Sequence, residues 1–492
     1  MRALLLGMPN SVFFFNHFAI LPNLGICSIA GNVDEDHKVN VADLVLAHRT
    51  YDHFLREKIQ QNPPDLIGLS SMSFQSKTAR MIARMVKTID PNIKVALGGY
   101  HASLLAEEVL KRWGKDLDFI IKGEGEKTFN ELLNNLEDGE RDLEHIDGLS
   151  FRKGEKIIHN NWREISELSS LNLPSRSSRL LTDGFHIWGR KADVVETSRG
   201  CVYNCEYCSI RKMYGKAFRK YDIDRVLDDI EACKREGAEA IFFADDNITL
   251  YHNHFINLCN GIIERGLNDI HYTTQAHVGR LYDEPIMIEK AIDANFKTIF
   301  LGIENPNQKK LQDLGKEVSN MAQKAKAVVS TFRNSKVITI GGLIVGNIQD
   351  KPKDFLNVLS YVKQLKMDAT IFFSLTPYPG TKIREKLIEK GLVKNLHDYS
   401  NYDALSANVG TEFLTKEQVE LLTEYLYDNF LSVKWIFETN IGRNYPWYFL
   451  KVIKNFSPRI IKKLYYKIHP NKTYVDLLRE MISFKKKFRD IR

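Results

Sequence analysis

The chain has 492 residues, of which 43% are hydrophobic and 27% are charged, so it is long enough for roughly three globular domains with sizeable cores. Six cysteines are too few for a secreted disulfide framework and suit a reducing compartment, so we expect a cytoplasmic protein. No stretch reaches about 20 consecutive apolar residues, so no membrane span is expected. The short apolar run at residues 1–7 lacks a cleavage-like site and is not expected to be a secretory signal.

The net charge of +7 is concentrated at the C-terminal end. Residues 434–492 contain 15 Lys and Arg against 4 Asp and Glu, a net of +11, which leaves a net of −4 for the rest. One interpretation of this tail is a solvated helical cap on the preceding domain. The other is peripheral contact with an anionic membrane surface, because Trp, Tyr and Lys together suit an interface. No recognised nucleic-acid-binding module is present, so nucleic acid is not expected as a partner.

Residues 1–140 alternate short β runs with amphipathic helical patterns, which predicts a parallel sheet covered on both faces. The predicted strands are Ala3–Leu6, Leu66–Leu69, Lys94–Leu97 and Phe119–Ile121, and the predicted helices are Tyr51–Gln61, Ser76–Ile89, Leu104–Trp113 and Lys127–Leu136. Ligands of such sheets bind at the carboxyl ends of the strands. Small or turn-forming residues follow several of these strands, namely Ser70, Ser71, Gly98, Gly99, Gly123 and Gly125. For any one of them, an ordinary strand-to-helix turn is as good an explanation as a ligand-binding site.

Residues 141–190 form a predicted connector with a small β element at Gly148–Phe151, and a second strand–helix series follows. Its strands are predicted at Val194–Thr197, Ala240–Ala244, Tyr272–Gln275, Thr298–Ile303, Val337–Val345 and Ala369–Leu375, with helices such as Asp222–Glu236 and His254–Arg265 between them. Six such units over residues 191–400 fit an incomplete β/α barrel. Residues 401–492 are predicted to be helical, at Thr415–Lys434, Pro446–Lys467 and Thr473–Lys487.

Three of the six cysteines lie together in Cys201-Val-Tyr-Asn-Cys205-Glu-Tyr-Cys208, directly after the first strand of the second series. A full set of thiolates around a 4Fe-4S cluster is four, so three leave one iron open for a small-molecule ligand. A structural zinc site is the alternative, but it needs a fourth ligand, and the nearby sequence offers none before His252 and His254. The loop therefore indicates an iron–sulfur site with one open position at the mouth of the predicted barrel.

A C-x-x-x-C-x-x-C loop after the first barrel strand resembles the radical S-adenosylmethionine superfamily. The resemblance implies a 4Fe-4S cluster on these three cysteines, whose open iron chelates S-adenosylmethionine. It also implies an external electron donor of the flavodoxin or ferredoxin type, and cleavage of S-adenosylmethionine to a 5′-deoxyadenosyl radical that removes hydrogen from an unactivated carbon. The barrel is expected to exclude water and to position that carbon.

Further positions match this superfamily in the expected order. The resemblance implies contacts with S-adenosylmethionine at Tyr207, Asp245, Asp246, Glu304, Gly341 and Gly342. Acidic side chains suit the methionyl ammonium group. The aspartates are also explained by an Asx turn or a helix cap. The glycines are also explained by a buried strand in which glycine avoids a steric clash. Four side chains are candidate substrate neighbours: His277, Tyr214, Arg219 and Tyr378. His277 is also explained as an ordinary polar residue at the end of a strand. No catalytic residue is assigned.

The runs Gly98-Gly99-Tyr100-His101-Ala102 and Gly123-Glu124-Gly125-Glu126, in a doubly wound domain ahead of the barrel, resemble the cobalamin-binding radical S-adenosylmethionine enzymes. That group includes hopanoid and peptide C-methylases and the anaerobic porphyrin-ester cyclase. The resemblance implies a fold in three parts: an N-terminal doubly wound, flavodoxin-like domain, an incomplete (β/α)6 barrel and a helical C-terminal region. It implies cobalamin contacts at Ser70, Ser71, Gly98, Gly99, Tyr100, Gly123, Glu124 and Gly125.

The segment after Gly7 departs from cobalamin-dependent mutases, because it lacks their Asp-x-His-x-x-Gly motif. Cobalt is therefore expected to have no histidine lower ligand, and His17 is expected to be structural or to face a partner. The first hypothesis for function is cobalamin-dependent C-methylation of an unactivated carbon in a small-molecule, lipid or protein substrate. The alternative is a radical cyclase, hydroxylating or C–C coupling enzyme acting on a lipid or tetrapyrrole, and the third is a non-enzymatic zinc or iron–sulfur module.

Overall fold

The computed structural model describes residues 1–11, 18–165, 167–316, 318–394, 396–430, 433–451 and 453–454. Its N-terminal part contains strands β1 (Arg2–Gly7), β2 (Ala19–Ile20), β3 (Lys38–Asp43), β4 (Leu66–Ser70), β5 (Lys94–Gly98), β6 (Phe119–Ile121), β7 (Leu149–Lys153) and β8 (Lys156–His159). The helices of this part are α1 (Leu24–Gly31), α2 (Tyr51–Gln61), α3 (Ser76–Ile89), α4 (Tyr100–Leu104), α5 (Ala106–Trp113) and α6 (Glu126–Glu137).

The first sheet has the strand order β3-β1-β4-β5-β6-β7-β8. Its first five strands are parallel to one another; β7 then pairs antiparallel with β6, and β8 pairs antiparallel with β7. The five parallel strands have the flavodoxin-like order that was predicted. Strands such as β4 are buried almost throughout, because helices cover both faces of the sheet. One face packs against α2, α3 and α5, and the other packs against α1 and α6.

The second part contains strands β9 (His186–Ile187), β10 (Arg190–Val195), β11 (Ser198–Arg199), β12 (Arg219–Lys220), β13 (Ala240–Phe243), β14 (His271–His277), β15 (Phe296–Glu304), β16 (Ile338–Val345) and β17 (Ala369–Ser374). Its helices are α7 (Ile210–Tyr214), α8 (Ile223–Arg235), α9 (His252–Glu264), α10 (Val278–Asp283), α11 (Ile286–Asp293), α12 (Gln308–Asp313), α13 (Met321–Asn334), α14 (Pro352–Leu365), α15 (Lys382–Glu389), α16 (Lys416–Phe430), α17 (Val433–Glu438) and α18 (Asn440–Asn444).

The second sheet has the order β17-β16-β15-β14-β13-β10-β9-β2. Six of its strands, β10 and β13 to β17, run parallel in chain order, as expected for an incomplete β/α barrel. The other two pair antiparallel, and β2 comes from the segment that follows β1. The predicted fold class is therefore confirmed, with the addition that a strand of the N-terminal part completes the edge of the barrel sheet.

The C-terminal helices close the end of the barrel where the parallel strands begin. Ile441, Tyr445 and Tyr448 pack into an apolar cluster with strand-start residues that include Ala192 and Ile338. The ring of Trp188 stacks on that of Tyr445 with 5.7 Å between centroids. This closure leaves the carboxyl ends of the strands as the open end of the barrel.

Several predicted elements differ in extent from the structure. Of the predicted helix Leu104–Trp113, residues Ala106–Trp113 form α5 and Leu104 is the last residue of α4, because Leu105 leaves helical backbone geometry at φ −132°. The first sheet continues to His159, beyond residue 140. The predicted helix Thr415–Lys434 is found as α16 and the start of α17. Of the predicted helix Pro446–Lys467 only residues 446–451 and 453–454 are described, and Thr473–Lys487 lies outside the described residues.

Candidate active site

A cavity of about 910 Å³ lies between the carboxyl ends of the two parallel sheets. The first sheet lines it with residues such as Gly7, Ser70 and Gly98, and the barrel lines it with residues such as Glu196 and Glu304. Carboxyl strand ends are where both doubly wound sheets and β/α barrels bind their ligands. The two predicted ligand-binding edges therefore face one shared space.

The strand that leads into the cysteine loop is anchored by two aspartates at the end of β13. Asp245 accepts hydrogen bonds from Thr197 N at 2.8 Å and Thr197 Oγ1 at 2.5 Å, and also from the Ser198 hydroxyl. Asp246 accepts one from Gly200 N at 2.9 Å. Neither aspartate lines the cavity. Three donors of the protein thus occupy the Asp245 carboxylate, and its expected contact with a methionyl ammonium group stays a prediction.

Burial raises the pKa of both aspartates, that of Asp245 to about 7 and that of Asp246 to about 6. Their local role is to hold the backbone between β10 and Cys201 in place. A motif read from sequence gives the position of such residues but not the direction of the side chain, which here is toward the preceding strand.

The far side of the cysteine loop is held by backbone and ring contacts. Glu206 N donates to Leu314 O at 2.9 Å, and Ile383 N donates to Glu206 O at 3.1 Å. The ring of Tyr203 stacks on His277 with 4.7 Å between centroids. The candidate substrate neighbour His277 thus supports the loop and does not line the cavity, and burial lowers its pKa to about 3.

The three loop cysteines are free and half-buried, whereas Cys27, Cys233 and Cys259 are buried elsewhere. Burial raises the pKa of all three loop thiols. Among the described residues, no three His, Cys, Asp or Glu side chains converge on one metal-ion position. In a 4Fe-4S cluster each thiolate binds a different iron, so a loop with three separated thiols and no fourth cysteine beside it fits a cluster with one open iron.

A hydrogen-bonded group of three side chains, Tyr207, Glu304 and Lys316, lies beside the cysteine loop at the end of β15. Tyr207 Oη donates to Glu304 Oε1 at 2.8 Å, and Lys316 Nζ donates to the same oxygen at 2.5 Å. Glu304 has a φ of +58° and follows a shift of register in β15. Such backbone strain persists where surrounding contacts enforce it, and it concentrates at functional sites. Tyr207 and Glu304 both line the cavity, so the fold presents this carboxylate to a ligand.

The two glycines predicted on the fifth barrel strand point to opposite sides of the sheet. A Cβ on Gly342 would lie 2.5 Å from Phe300 Cζ, inside the barrel, and Gly342 lines the cavity. A Cβ on Gly341 would lie 2.9 Å from Met367 Cε, and Gly341 does not line the cavity. Because side chains alternate along a strand, only one of two adjacent residues can face the ligand space.

All eight residues predicted to bind cobalamin line the cavity: Ser70, Ser71, Gly98, Gly99, Tyr100, Gly123, Glu124 and Gly125. Gly99 has a φ of +90°, and a Cβ there would lie 2.7 Å from Ser71 O. The turn after β5 therefore requires glycine. Asn23 Nδ2 donates to Ser70 Oγ at 3.2 Å and Ser103 Oγ accepts from Gly123 N at 3.0 Å, so these strand ends form a rigid edge.

The cavity extends into the N-terminal part, between the first sheet and its helices. Its walls there are formed by Leu5, Gly68 and Ala96 of the sheet, by Ile29 of α1 and by Phe129 of α6. The small side chains at residues 68 and 96 leave a narrow apolar slot. An apolar wall of this kind suits an apolar or aromatic portion of a bound cofactor.

The segment that follows β1 contributes Asn10, Ser11, Pro22 and Asn23 to the cavity lining, and none of these is a histidine. His17 lies outside the described residues, so its expected role stays a prediction. Asp43 also lines the cavity and accepts from Asn23 N at 3.2 Å. Burial raises the pKa of Asp43 to about 6.

A buried ion cluster that the sequence analysis missed joins the two parts of the chain. Arg199 donates to Glu196 at 2.8 Å, to Glu126 at 2.8 Å and to Glu124 at 3.3 Å. Arg219, a candidate substrate neighbour, donates to Glu124 instead, at 2.5 Å. The adjacency of Arg199 to the cysteine loop and the acidic Gly123–Glu126 run were visible in the sequence, but their pairing depends on how the sheets face each other.

The remaining candidates divide between the cavity and the protein interior. Tyr214 lines the cavity and is hydrogen-bonded to Tyr100, so a side chain of the N-terminal part reaches the end of the cysteine loop. Tyr378 donates to Tyr402 O at 3.2 Å and does not line the cavity. Tyr100 and Tyr214 therefore lie between the two strand-end edges.

Two family models match the chain, the B12 binding domain over residues 14–133 and the radical SAM superfamily over residues 195–362. The first match contains β3 to β6 of the first sheet, and the second contains β13 to β16 of the barrel sheet. The chain belongs to the radical S-adenosylmethionine enzymes that carry a cobalamin-binding domain.

Within that family the chain is similar to proteins named as methyltransferases. It is 28% identical to an uncharacterized methyltransferase of Pyrococcus horikoshii, over 85% of this chain and 90% of the relative. It is 25% identical to the bacteriochlorophyllide d C-12(1)-methyltransferase of Chlorobaculum tepidum, over 85% and 88%. The structure of the cobalamin-dependent S-adenosylmethionine radical enzyme OxsB matches 98% of this chain and 75% of its own, with a TM-score of 0.68 and 17% identity, which shows a shared fold.

Proposed function

We propose that this chain is a cobalamin-dependent C-methyltransferase that acts on an unactivated carbon. The observation that carries the proposal is the shared cavity, which is lined by the glycine-rich edge of the first sheet and by the carboxyl ends of the barrel strands. Tyr207 of the cysteine loop is part of this lining, whereas the three cysteines are not. When bound, the cluster with S-adenosylmethionine supplies a 5′-deoxyadenosyl radical, and cobalamin supplies the methyl group. The substrate carbon would be held between the two edges.

The chain's own residues bind and orient these groups. Cys201, Cys205 and Cys208 are proposed to hold the cluster. Beside them Tyr207 and Lys316 fix the Glu304 carboxylate, whose Oε2 accepts no hydrogen bond from a described residue and is proposed to accept one from S-adenosylmethionine. Gly342 is proposed to flank the adenine. Asp245 and Asp246 are proposed to position the loop.

The edge of the first sheet is proposed to cradle cobalamin with backbone groups and a few neutral side chains. Its eight lining residues, from Ser70 to Gly125, leave an open surface above the strand ends, and the slot beside Gly68 is proposed to hold the nucleotide base. The domain limits proposed with this assignment are those predicted from the sequence, 1–140, 141–190, 191–400 and 401–492, with β7 and β8 of the connector joined to the first sheet. Reduction of the cluster is assigned to a donor of the flavodoxin or ferredoxin type.

The test is anaerobic reconstitution of the full chain with iron, sulfide and hydroxocobalamin, followed by reduction in the presence of S-adenosylmethionine. We expect iron and cobalt to be retained, and 5′-deoxyadenosine to form. Cys205→Ala should abolish both the cluster absorbance and 5′-deoxyadenosine, because a thiolate that binds one iron is lost. Cys259→Ala, which removes a buried thiol in α9 away from the loop, is the matched control and should retain both.

Retained cleavage of S-adenosylmethionine in Cys205→Ala would contradict the assignment of the cluster. The radical cyclase or coupling alternative transfers no methyl group. It is separated from methylation by comparing the metabolites, lipids and proteins of a deletion strain with those of its parent. Methylation predicts a compound that lacks about 14 daltons in the deletion strain, and wild-type protein that never binds cobalt would remove the methyltransferase proposal.

A peripheral membrane contact is proposed for the C-terminal end. Phe437, Trp447 and Leu450 are 77%, 84% and 58% exposed, on the outer side of the helices that close the barrel. Residues from 434 onward carry a net charge of +11. Exposed aromatic and aliphatic side chains beside excess Lys and Arg complement an anionic lipid surface. No helix among the described residues is long and apolar enough to cross a membrane.

Co-sedimentation with phosphatidylglycerol vesicles and with phosphatidylcholine vesicles tests this contact. We expect binding to the anionic vesicles that falls as salt rises, because screening weakens the electrostatic part. Trp447→Ala should weaken binding several-fold. Phe413→Ala should not, because this exposed ring contacts Lys351 beyond the carboxyl end of β16, whereas the C-terminal helices pack on the strand starts. Equal binding to neutral vesicles, or no effect of Trp447→Ala, would remove the proposal.

A further inference from the structure

The cysteine loop has an outer side that does not face the cavity. Val202 is 42% exposed and Asn204 is exposed as well, yet neither of them lines the cavity, and the three cysteines do not line it either. The hairpin of β11 and β12 packs against the start of the loop, where a Cβ on Gly200 would overlap with Ala217 O. The loop that is proposed to hold the cluster therefore reaches the protein surface.

This outer side carries positive charge that the chain does not neutralise. Residues 199–222 contain six Lys and Arg against two Asp and Glu. Arg199 and Arg219 are held by Glu124 in the buried ion cluster. Glu206 is paired with Lys386 at 2.5 Å. Four exposed cations on or beside the loop pair with no carboxylate among the described residues, and none of the four lines the cavity: Lys212, Lys216, Lys220 and Arg280.

Contacts of two of these cations place them on either side of the loop. Arg280 Nε donates to Tyr203 Oη at 3.2 Å, so this guanidinium group lies against the loop itself. Lys220 lies on β12, which pairs with the strand that leads into the loop, and its Nζ is 5.6 Å from the ring centre of Tyr251. Tyr251 is 50% exposed, and its ring packs on Phe218 with 5.0 Å between centroids. The loop is thus flanked by cations, with an exposed ring beside one of them.

A surface of this composition suits a transient protein partner that carries negative charge. Complexes of electron-transfer proteins bury small interfaces, and complementary charge steers their encounter and raises the association rate. Side chains such as Val202 and Tyr251 can supply the apolar centre of such an interface. The cavity side of the loop is proposed to hold the cofactors and the substrate, so the outer side is the face that remains for a reducing protein.

We propose that the outer side of the cysteine loop is the docking surface for an acidic electron-carrier protein that reduces the cluster. The cations that attract this protein are Lys212, Lys216, Lys220 and Arg280. This inference rests on the proposed function and names the surface that its electron donor uses. In the step that docking permits, one electron passes from the carrier, which is oxidised, to the cluster, which is reduced, and no covalent bond changes.

The test measures binding of a flavodoxin, an acidic one-electron carrier, to the full chain reconstituted with cluster and cobalamin. Isothermal titration calorimetry gives the affinity at about 50 mM and at about 300 mM salt. We expect the affinity to fall at least about 10-fold between these two concentrations, because salt screens charge pairs across a solvent-exposed interface. Cytochrome c, a one-electron carrier with a basic surface, should not bind.

A double charge reversal locates the surface. Lys216→Glu combined with Lys220→Glu should weaken flavodoxin binding at least about 10-fold. It should also raise, by a similar factor, the flavodoxin concentration that half-saturates 5′-deoxyadenosine formation. The rate with titanium(III) citrate should be unchanged, because a small reductant needs no docking surface. Retained iron and cobalamin absorbance reports that the variant is folded, and Lys216→Gln with Lys220→Gln is the milder version.

The matched control combines Lys336→Glu with Lys366→Glu. These exposed lysines follow α13 and α14 and precede β16 and β17, so they lie at the opposite end of the barrel from the cysteine loop. The control makes the same change in net charge and should bind flavodoxin as the wild type does.

The docking surface would be overturned if flavodoxin does not bind the wild type, if it binds the Lys216→Glu and Lys220→Glu variant equally well, or if the control loses as much affinity. Binding to phosphatidylglycerol vesicles that this variant abolishes would also overturn it, since the surface would then belong to a membrane contact. Failure of the proposed function has a different signature, because the wild type would then bind no cobalt or form no 5′-deoxyadenosine with titanium(III) citrate.

Discussion

The two strand-end edges that meet at the cavity are built from different chemistry. The edge of the first sheet lines the cavity mainly with small neutral residues such as Ser70, Gly98 and Gly123. The barrel edge lines it with Tyr207 and Glu304, which are hydrogen-bonded to each other, and Glu304 is also paired with Lys316. A large cofactor held by many weak contacts needs an open, rigid surface. A cluster and a zwitterionic ligand need specific donors and acceptors. We therefore expect the strand ends of the first sheet to bind their ligand by shape, and those of the barrel to bind theirs by charge and hydrogen bonds.

The buried ion cluster where these edges meet should give the largest effect on stability. Burial would raise the pKa of Glu126, but the charge and hydrogen bonds of Arg199 outweigh it and hold that pKa below its ordinary value. Arg199→Ala leaves Glu126 and Glu196 buried without their partner, which should cost about 3–5 kcal/mol of unfolding free energy. Thermal or denaturant unfolding measures the loss.

The matched control is Arg265→Ala. Arg265 also contacts three carboxylates, those of Asp224, Asp228 and Glu231, but at the surface. Its removal should cost no more than about 1 kcal/mol. Similar losses in the two variants would show that the contact between the edges does not depend on the buried charges.

The pH dependence of stability should have opposite signs in the two regions. His101 of the N-terminal part is 3% exposed, and burial lowers its pKa to about 4. The unfolded chain then binds more protons, so this contribution to stability is present above about pH 6.5 and is lost as the pH falls toward 4. His101→Phe should flatten the acid side of a plot of melting temperature against pH.

Asp245 of the barrel shows the reverse, because burial raises its pKa to about 7. The folded chain binds the extra proton, so this contribution is present below about pH 4 and is lost as the pH rises through 7. Asp245→Asn should flatten that part of the plot, by a few kcal/mol at most. An unchanged slope in both variants would contradict the burial argument.

The smallest effect is expected at the turn that shapes the neutral edge. Gly99→Ala places a Cβ 2.7 Å from Ser71 O at a φ of +90°, which should cost about 1–3 kcal/mol and weaken cobalamin binding. Gly139→Ala is the control, since it has a φ of +86° and nothing within 4 Å of the added Cβ. The unfolding free energy lost in Gly139→Ala measures the effect of the positive φ alone. Equal losses in the two variants would exclude a steric contribution at Gly99.

Periodic segments were predicted closely. Tyr51–Gln61 and Ser76–Ile89 have the predicted bounds, because each has a clear apolar stripe and defined ends. Strands β2 and β3 and helix α1 were not predicted. β2 has only two residues and is stabilised by pairing with β9, a contact remote in sequence. The sequence also did not predict which side chains face the cavity: Asp245, Gly341 and His277 do not line it.

The sequence by itself determined the order of the two α/β units, the three-cysteine loop after the first barrel strand and the glycine-rich strand ends, because local periodicity and short motifs depend on neighbours along the chain. Only the tertiary structure decided that the two edges share one cavity, that Arg199 is held between carboxylates of both parts, and that Tyr100 of the first part is hydrogen-bonded to Tyr214 of the second. Those relations join residues far apart in sequence, and they exist only where packing of the two sheets brings the residues together.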